Sequence, residues 1–124
     1  MPAHIRIIRA REFVRATPEG LIDLERSKKL AMQIASAGAS LTDYQVLVDA
    51  RKADVRMSVS DLWYLASDLS SFGKTFAGRT AVLCPLEHFD QAEFFALCAE
   101  NQGLQVGAFT SFEGAIEWLT ANEK

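Results

Sequence analysis

The sequence predicts an α/β fold with a four- to five-stranded, mixed and mostly parallel sheet and about four helices. Strand-like and helix-like hydrophobic periodicities alternate along the chain, in the order β(β)α–βα–βα–βα. The apolar run at residues 45–50 is typical of a central parallel strand. Crossovers through helices imply parallel neighbours, and the N-terminal segment is expected to add an antiparallel edge.

The first half of the chain is predicted to contain two strand regions separated by a helix. Residues 4–17 are expected to form one bent strand or two short ones. Residues 21–37 have apolar side chains at helical spacing and stop at Gly38, which predicts a helix. Residues 45–50 are the most strand-like segment, and we expect a loop over residues 52–60 to follow.

The second half alternates helices and strands more regularly. A helix is predicted over residues 60–73, where Leu, Ala and Phe side chains form one stripe and the final glycine closes it. A strand over residues 79–86 and a helix over residues 88–101 are expected next. Residues 105–110 are predicted to form the last strand, and Ser111 to cap a final helix.

Size and composition predict a soluble, cytoplasmic domain. The chain of 124 residues is 49% hydrophobic and 23% charged, so residues 1–124 fit a single domain with its own core. No apolar run approaches the roughly 18–20 residues of a membrane span, and the N-terminus lacks the apolar stretch of a signal peptide. Cys84 and Cys98 have no metal-ligand or C-x-x-C spacing, so both are expected to be small buried residues.

The net charge of −3 argues against nucleic acid as a partner. Residues 1–56 carry ten Lys or Arg against seven Asp or Glu, whereas residues 57–124 carry three against nine. Nucleic-acid-binding domains normally have a clearly basic balance. The arginines near the N-terminus are therefore expected to be solvated residues on edge strands: Arg6, Arg9, Arg11 and Arg15.

Most catalytic signatures are missing from the sequence. It contains no glycine-rich phosphate-binding motif and no serine nucleophile elbow. His88 follows a strand near the carboxyl edge of the sheet, where a surface role is favoured over catalysis. The sequence therefore predicts a protein that is not an enzyme and that needs neither a metal nor a cofactor.

The segment from Val46 to Leu62 contains the residues that point most directly to a function. An apolar strand ends there at Asp49, and a loop and a helix start follow. In α/β proteins, binding sites are usually built at such carboxyl ends of strands. Asp49 is expected to pair with Arg51 or to accept hydrogen bonds from N–H groups of the loop, so both residues are structural candidates in a switch loop.

Two serines and two aromatic residues lie at the predicted helix start. A phosphate or another anion at Ser58 or Ser60 would be stabilised by the helix dipole and by unpaired N–H groups, but an ordinary N-terminal cap also needs a serine there. Trp63 and Tyr64 are off the apolar stripe and point about 100° apart, so they do not both face the core fully. They either contact a partner or pack partly against a neighbouring helix.

Four segments carry a family resemblance: V-L-V-D-A-R, S-V-S-D-L-W-Y-L-A, R-T-A-V-L-C-P and S-F-E-G-A-I-E-W-L. Together they resemble the SpoIIAA-like branch of the STAS superfamily, a domain shared by sulfate transporters and bacterial anti-sigma-factor antagonists. The resemblance extends from about Ile5 to Leu119. It implies a four- or five-stranded mixed sheet with helices, no metal and no intrinsic catalysis.

The resemblance also implies a regulatory partner. In antagonist members, a partner kinase binds the unphosphorylated form and phosphorylates a serine in a D-S-S-G-like motif, at the start of the helix after the central strand. The motif falls here on residues 58–61 and places Ser60 nearest the phosphorylated position, with valine and aspartate where the motif has serine and glycine. The surface expected to contact a protein partner, such as an anti-sigma-type kinase, comprises Arg56, Asp61, Trp63 and Tyr64.

Two functions are compatible with these features. The first is a non-catalytic regulatory module that binds a protein through loop 52–60 and the exposed part of helix 60–73. The second is a domain that binds a small apolar or anionic ligand at the carboxyl ends of the strands, beside the helix start at Ser60. The aromatic residues expected to line that pocket are Phe89, Phe94, Phe95 and Phe109. An exposed edge strand or an aromatic helix face could also mediate a homodimer.

Overall fold

Seven strands and four α-helices alternate within residues 4–8, 13–39 and 44–121, which the computed structural model describes. The strands are β1 (His4–Ile8), β2 (Phe13–Thr17), β3 (Gly20–Ile22), β4 (Gln45–Asp49), β5 (Ala53–Val55), β6 (Arg79–Leu83) and β7 (Gln105–Phe109). The α-helices are α1 (Leu24–Ala37), α2 (Val59–Leu69), α3 (Phe89–Asn101) and α4 (Phe112–Thr120). Two 3-10 segments cover Ser70–Phe76 and Leu86–His88.

Five of the strands form one sheet, in the order β1-β2-β4-β6-β7. β1 runs antiparallel to β2, and the other neighbours in this sheet are parallel. The prediction of a mixed, mostly parallel sheet with an antiparallel N-terminal edge is therefore confirmed. β4 is the middle strand, as its continuous apolar run indicated, so Asp49 at its end lies at the centre of the carboxyl edge of the parallel strands.

The sheet has a different set of helices on each face. Side chains alternate between the faces of a strand, and Val46 belongs to a core that includes residues of α1, α2 and α3. Its neighbour Leu47 points to the opposite face and packs with Ala115 and Leu119 of α4. Burying a side chain of this size contributes about 1.5–3 kcal/mol, so both faces of the central strand stabilise the sheet.

The start of α1 differs from the prediction of a helix over residues 21–37. The Asp23 carboxylate accepts a hydrogen bond from the backbone N–H of Arg26 at 2.9 Å and caps the helix, which therefore begins at Leu24. The preceding residues form β3, which pairs in parallel with β5. Because β5 lies inside the segment expected to be loop 52–60, that expectation was wrong as well. Two three-residue strands complete each other's hydrogen bonds here, and no local period reveals such a pairing.

The helix predicted over residues 60–73 is shorter in the structure. α2 ends at Leu69, and 3-10 turns continue to Phe76. The hydroxyls of Ser70 and Ser71 donate to backbone carbonyls one turn earlier, at 2.7 and 2.6 Å, and such local bonds compete with the α-helical ladder. The glycine expected to close the helix lies inside the 3-10 segment.

The remaining elements match their predictions to within three residues. β6, α3 and β7 occupy the predicted strand, helix and strand of the second half. Ser111 caps α4, since its hydroxyl accepts a hydrogen bond from the backbone N–H of Gly114 at 3.0 Å. Cys84 and Cys98 are buried, as their spacing indicated.

Candidate functional site

Asp49 is a buried carboxylate at the end of β4. It accepts hydrogen bonds from Nε and Nη2 of Arg51 at 2.9 and 2.8 Å, and from the Arg51 backbone N–H at 3.2 Å. Arg15 on the neighbouring strand β2 donates from Nη2 at 2.9 Å. Asp49 is only 4% exposed, and the two guanidinium groups balance the negative charge that is buried there.

The arginines determine the ionisation of Asp49. Burial alone would raise the pKa of its carboxyl, but the hydrogen bonds from Arg51 and Arg15 outweigh burial and hold that pKa below its usual value. The hydrogen bond to Asp49 in turn raises the pKa of Arg51. Asp49 is therefore an ionised structural group at neutral pH, and not a proton donor.

Arg15 is the member of this cluster that the sequence did not indicate. It was expected to be a solvated residue on an edge strand, but β2 lies between β1 and β4. Its guanidinium carbon is 5.4 Å from the centre of the Phe112 ring, so the side chain also contacts α4. Of the other N-terminal arginines, Arg9 and Arg11 lie outside the described residues, and so does the side chain of Arg6.

α2 begins with a reciprocal cap. Ser58 Oγ accepts a hydrogen bond from the backbone N–H of Asp61 at 3.1 Å, and the Asp61 carboxylate accepts one from the backbone N–H of Ser58 at 3.2 Å. This capping box satisfies two N–H groups and puts a carboxylate at the positive end of the helix dipole. An anion at Ser58 would therefore compete with Asp61, whereas Ser60 is exposed in the first turn.

The outer face of α2 exposes large apolar side chains. Trp63 is 50% exposed, Tyr64 is 55% exposed and Val59 is 67% exposed. The two aromatic rings pack edge to face, with their centres 5.2 Å apart and an interplanar angle of 81°. Ser60 precedes Trp63 and Tyr64 by three and four positions, the spacing of neighbours on a helix surface. We call Val59, Ser60, Trp63 and Tyr64 the α2 surface.

Arg56 lies on the approach to the α2 surface. Its backbone N–H donates to the carbonyl of Ile22 at 2.8 Å, which fixes the chain beside β3. Its side chain forms an exposed ion pair with Asp54, with 3.0 Å between the nitrogen and the oxygen. Such pairs contribute roughly 0–1 kcal/mol, so the Arg56 guanidinium can exchange Asp54 for another carboxylate at little cost.

A cavity of about 140 Å³ lies between the sheet and helices α1, α2 and α3. Its lining is mainly apolar and includes Ile34, Val48, Leu65, Val82, Ala92 and Phe95. Of the phenylalanines expected to line a pocket, Phe95 does so. Phe109 is on the opposite face of the sheet, because successive strand residues alternate in direction. Its ring centre lies 5.5 Å from that of Trp118. Neither Phe89 nor Phe94 is among the described residues that line the cavity.

A few polar side chains also line the cavity. Thr80 is 3% exposed, and within the described part of the chain its hydroxyl has no hydrogen-bond partner. Ser27 Oγ donates to Met57 Sδ at 3.6 Å. Gln91 is exposed and contacts the half-buried His88, with 3.4 Å between Oε1 and Nδ1, so the cavity opens to solvent beside these two residues.

Cys84 is a buried thiol that directly follows β6. Burial raises the pKa of the Cys84 thiol, which favours the less nucleophilic protonated form. No group of three or more His, Cys, Asp or Glu within residues 4–8, 13–39 and 44–121 is arranged to bind a metal ion. In the same ranges, no helix is long and apolar enough to cross a membrane.

The fold is similar to that of two solved structures. One is an uncharacterized DUF3478-family protein with a SpoIIAA-like fold from Shewanella loihica PV-4, with a TM-score of 0.62, 17% identity, and coverage of 94% of this chain and 91% of that one. The other is the anti-sigma factor antagonist SpoIIAA in its unphosphorylated form, with a TM-score of 0.58, 17% identity, and coverage of 97% and 99%. No family model and no curated protein matches the sequence. The chain therefore has the SpoIIAA-like fold that its sequence motifs indicated.

Proposed function

We propose that this protein is a non-catalytic regulatory module that binds a protein partner through the α2 surface. The observation that supports this most strongly is the pair Trp63 and Tyr64, which are both at least half exposed although they follow the buried Leu62 directly. Aromatic side chains have about 150–250 Å² each to bury, and tryptophan and tyrosine are enriched among residues that dominate binding energy.

The shape of α2 supports the same proposal. Its inner face is fully used, because Leu62, Leu65 and Leu69 are buried in the core beside α1 and α3. Its outer face presents an apolar patch that begins at Val59, with the exchangeable charge of Arg56 before it. An apolar centre with a charged rim is typical of protein interfaces.

The likeness to SpoIIAA supports a regulatory role for this protein and indicates the kind of partner that we propose. That protein is an anti-sigma factor antagonist, and the structural match to it covers 97% of this chain at a TM-score of 0.58. By analogy, we propose a partner of the anti-sigma kinase type and Ser60 as the position that such a kinase would modify. Ser60 is exposed on the α2 surface, so a phosphate there would disturb an apolar contact with Trp63 and Tyr64.

Capture of the partner from native cells tests the proposal. The wild-type protein and the double variant Trp63→Ala/Tyr64→Ala serve as baits, and bound proteins are identified by mass spectrometry with mapping of phosphorylated residues. We expect a protein that wild type enriches and the double variant loses, because removal of such aromatic anchors typically costs about 2 kcal/mol or more, roughly a 30-fold loss in affinity.

A matched control separates loss of the surface from loss of the fold. Phe112→Ala removes another exposed aromatic ring, at 38% exposure, from the helix on the opposite face of the sheet. This variant should capture the same protein as wild type, and circular dichroism should show all baits folded. Equal capture by the double variant, or no specific capture by any bait, would refute the proposed binding surface.

A further inference from the structure

We propose that the cavity beneath α1, α2 and α3 binds a small uncharged molecule with an apolar body and one hydrogen-bonding group, which pairs with the Thr80 hydroxyl. The site is distinct from the α2 surface, because it lies on the inner side of the helices. It therefore adds a ligand to a domain that is proposed to act through a protein partner.

The volume of the cavity sets the size of the ligand. At about 140 Å³ it is comparable to an engineered apolar cavity of ~150 Å³ in another protein, which stays free of water and binds benzene or xenon. A single aromatic ring or a short alkyl chain, with on the order of six to eight non-hydrogen atoms, fits this space. Because the cavity opens to solvent beside His88 and Gln91, this volume limits the part of a ligand that is buried.

The lining sets the chemical class. Val48, Leu65 and Val82 present hydrocarbon surface, and no Lys, Arg, Asp or Glu occurs among the described residues that line the cavity. A charged group buried there would lose its hydration without gaining an opposite charge. The lining contains the half-buried His88 but no Lys or Arg among its described residues, so it favours an uncharged ligand over the anionic one that the sequence had left open.

Thr80 provides the specific recognition. Its hydroxyl is buried in the wall and has no hydrogen-bond partner within the described residues. Nearly all buried hydroxyls in proteins are paired, so an orphaned one at a cavity wall points to a missing partner. A hydroxyl can donate or accept, but this one has almost no surface exposed to the cavity, so the Thr80 side chain must rotate about χ1 for an alcohol, phenol or carbonyl group on the ligand to complete the pair.

The opening beside α3 gives access to this site. Gln91 is exposed and Ala92 is half-buried, and both line the cavity, so a ligand can enter between the start of α3 and the residues after β6. A larger side chain at position 92 would occupy part of the volume from the solvent side without altering the sheet.

Binding of benzene, phenol and benzoate to the purified full-length protein tests the proposal. Two-dimensional NMR would follow the backbone amides during titration at neutral pH, where phenol is uncharged and benzoate is an anion. We expect saturable shifts for benzene and phenol at residues that line the cavity, such as Val48 and Val82, and binding of benzoate at least about tenfold weaker than that of phenol.

Two variants assign the site. Thr80→Val keeps the shape of the side chain, so it should weaken phenol binding about three- to tenfold and leave benzene binding within about twofold. Thr120→Val is the matched control, because its hydroxyl donates to the Ile116 carbonyl at 2.8 Å on α4, away from the cavity. Ala92→Leu should weaken both ligands, whereas Trp63→Ala/Tyr64→Ala should weaken neither.

A crystal of the wild-type protein under xenon pressure provides a measurement that needs no variant. Xenon bound among Val48, Val82 and Phe95 supports the proposal. The proposal is overturned if neither benzene nor phenol gives saturable shifts, if those shifts map outside the cavity, or if xenon does not enter. A Thr80→Val variant that binds phenol as tightly as wild type overturns the assigned role of Thr80. None of these results depends on whether the α2 surface captures a protein.

Discussion

Arg15 Nη2 on β2 lies 2.9 Å from Asp49 Oδ2 at the end of β4, so a charged hydrogen bond joins two inner strands at the carboxyl edge of the sheet. Arg51 completes the cluster from the loop that follows β4, with Nη2 at 2.8 Å from the same oxygen. The cluster fixes the end of the central strand and the start of the segment that leads to α2. Its proposed role is therefore to support the α2 surface, and not to contact the partner.

Asp49→Asn should destabilise the fold. Asparagine keeps the size of the side chain but loses the charge, so hydrogen bonds from two arginines weaken at a buried position. We expect the free energy of unfolding in urea to fall by about 1–3 kcal/mol, the usual range for hydrogen bonds to charged groups. Asp54→Asn is the control, because its ion pair with Arg56 is exposed and its loss should change stability by roughly 0–1 kcal/mol. Equal effects of the two substitutions would contradict the structural role of Asp49.

The stabilisation by Asp49 should depend on pH. The pKa of Asp49 is lowered in the folded state, whereas an aspartate in the unfolded chain has a pKa of about 3.9. The unfolded state therefore binds more protons between these values, and the stabilisation present above about pH 4 is lost as the pH falls through the folded pKa. The stability difference between wild type and Asp49→Asn should be constant from roughly pH 5 to 8 and should shrink in more acidic urea titrations. If the stability difference between wild type and Asp49→Asn grew as the pH fell, this account of Asp49 would be contradicted.

The two serines at the start of α2 should behave differently. Ser58→Ala removes the cap on the Asp61 backbone N–H and should lower the free energy of unfolding by about 1 kcal/mol. Ser60→Ala changes an exposed side chain in the first turn and should alter stability by no more than about 0.5 kcal/mol. Thermal or urea unfolding distinguishes the two. If Ser60→Ala is the more destabilising substitution, the cap has been assigned to the wrong serine.

Thr80→Val should stabilise the unliganded protein. Valine has nearly the same shape as threonine, and it removes a buried hydroxyl that lacks a partner. Burying such a group costs roughly 1–3 kcal/mol, so we expect the free energy of unfolding to rise by about 1 kcal/mol. Thr120→Val, which breaks a hydrogen bond to the Ile116 carbonyl, should instead lower it. A loss of stability in Thr80→Val would mean that the hydroxyl is satisfied in solution.

The elements of this fold differ in how far the sequence reveals them. The continuous apolar run of β4 predicted the middle strand, because a strand covered on both faces needs apolar residues at successive positions. The pairing of β3 with β5 was missed, because three residues are too few to show a period and the stabilising hydrogen bonds come from a segment far along the chain. The start of α1 at Leu24, three residues later than predicted, depends on the same pairing.

The candidate site follows the same distinction. The exposure of Trp63 and Tyr64 could be anticipated from their position off a helical stripe, since helix geometry is local. The hydrogen bond between Arg15 and Asp49 could not be anticipated in this way, because it requires the strand order that places β2 beside β4. The cavity is formed by three helices and the sheet together, and the orphaned hydroxyl of Thr80 has no signature in the sequence around it.

Site-specific crosslinking in native cells tests the proposed partner surface most directly. A photo-crosslinking amino acid is placed at position 64 on the α2 surface and, in a separate protein, at position 112 on the opposite face of the sheet. We predict a specific covalent adduct with one protein from position 64, and its absence from position 112. No adduct from position 64, or the same adduct from both positions, would contradict the proposal that the α2 surface binds a protein partner.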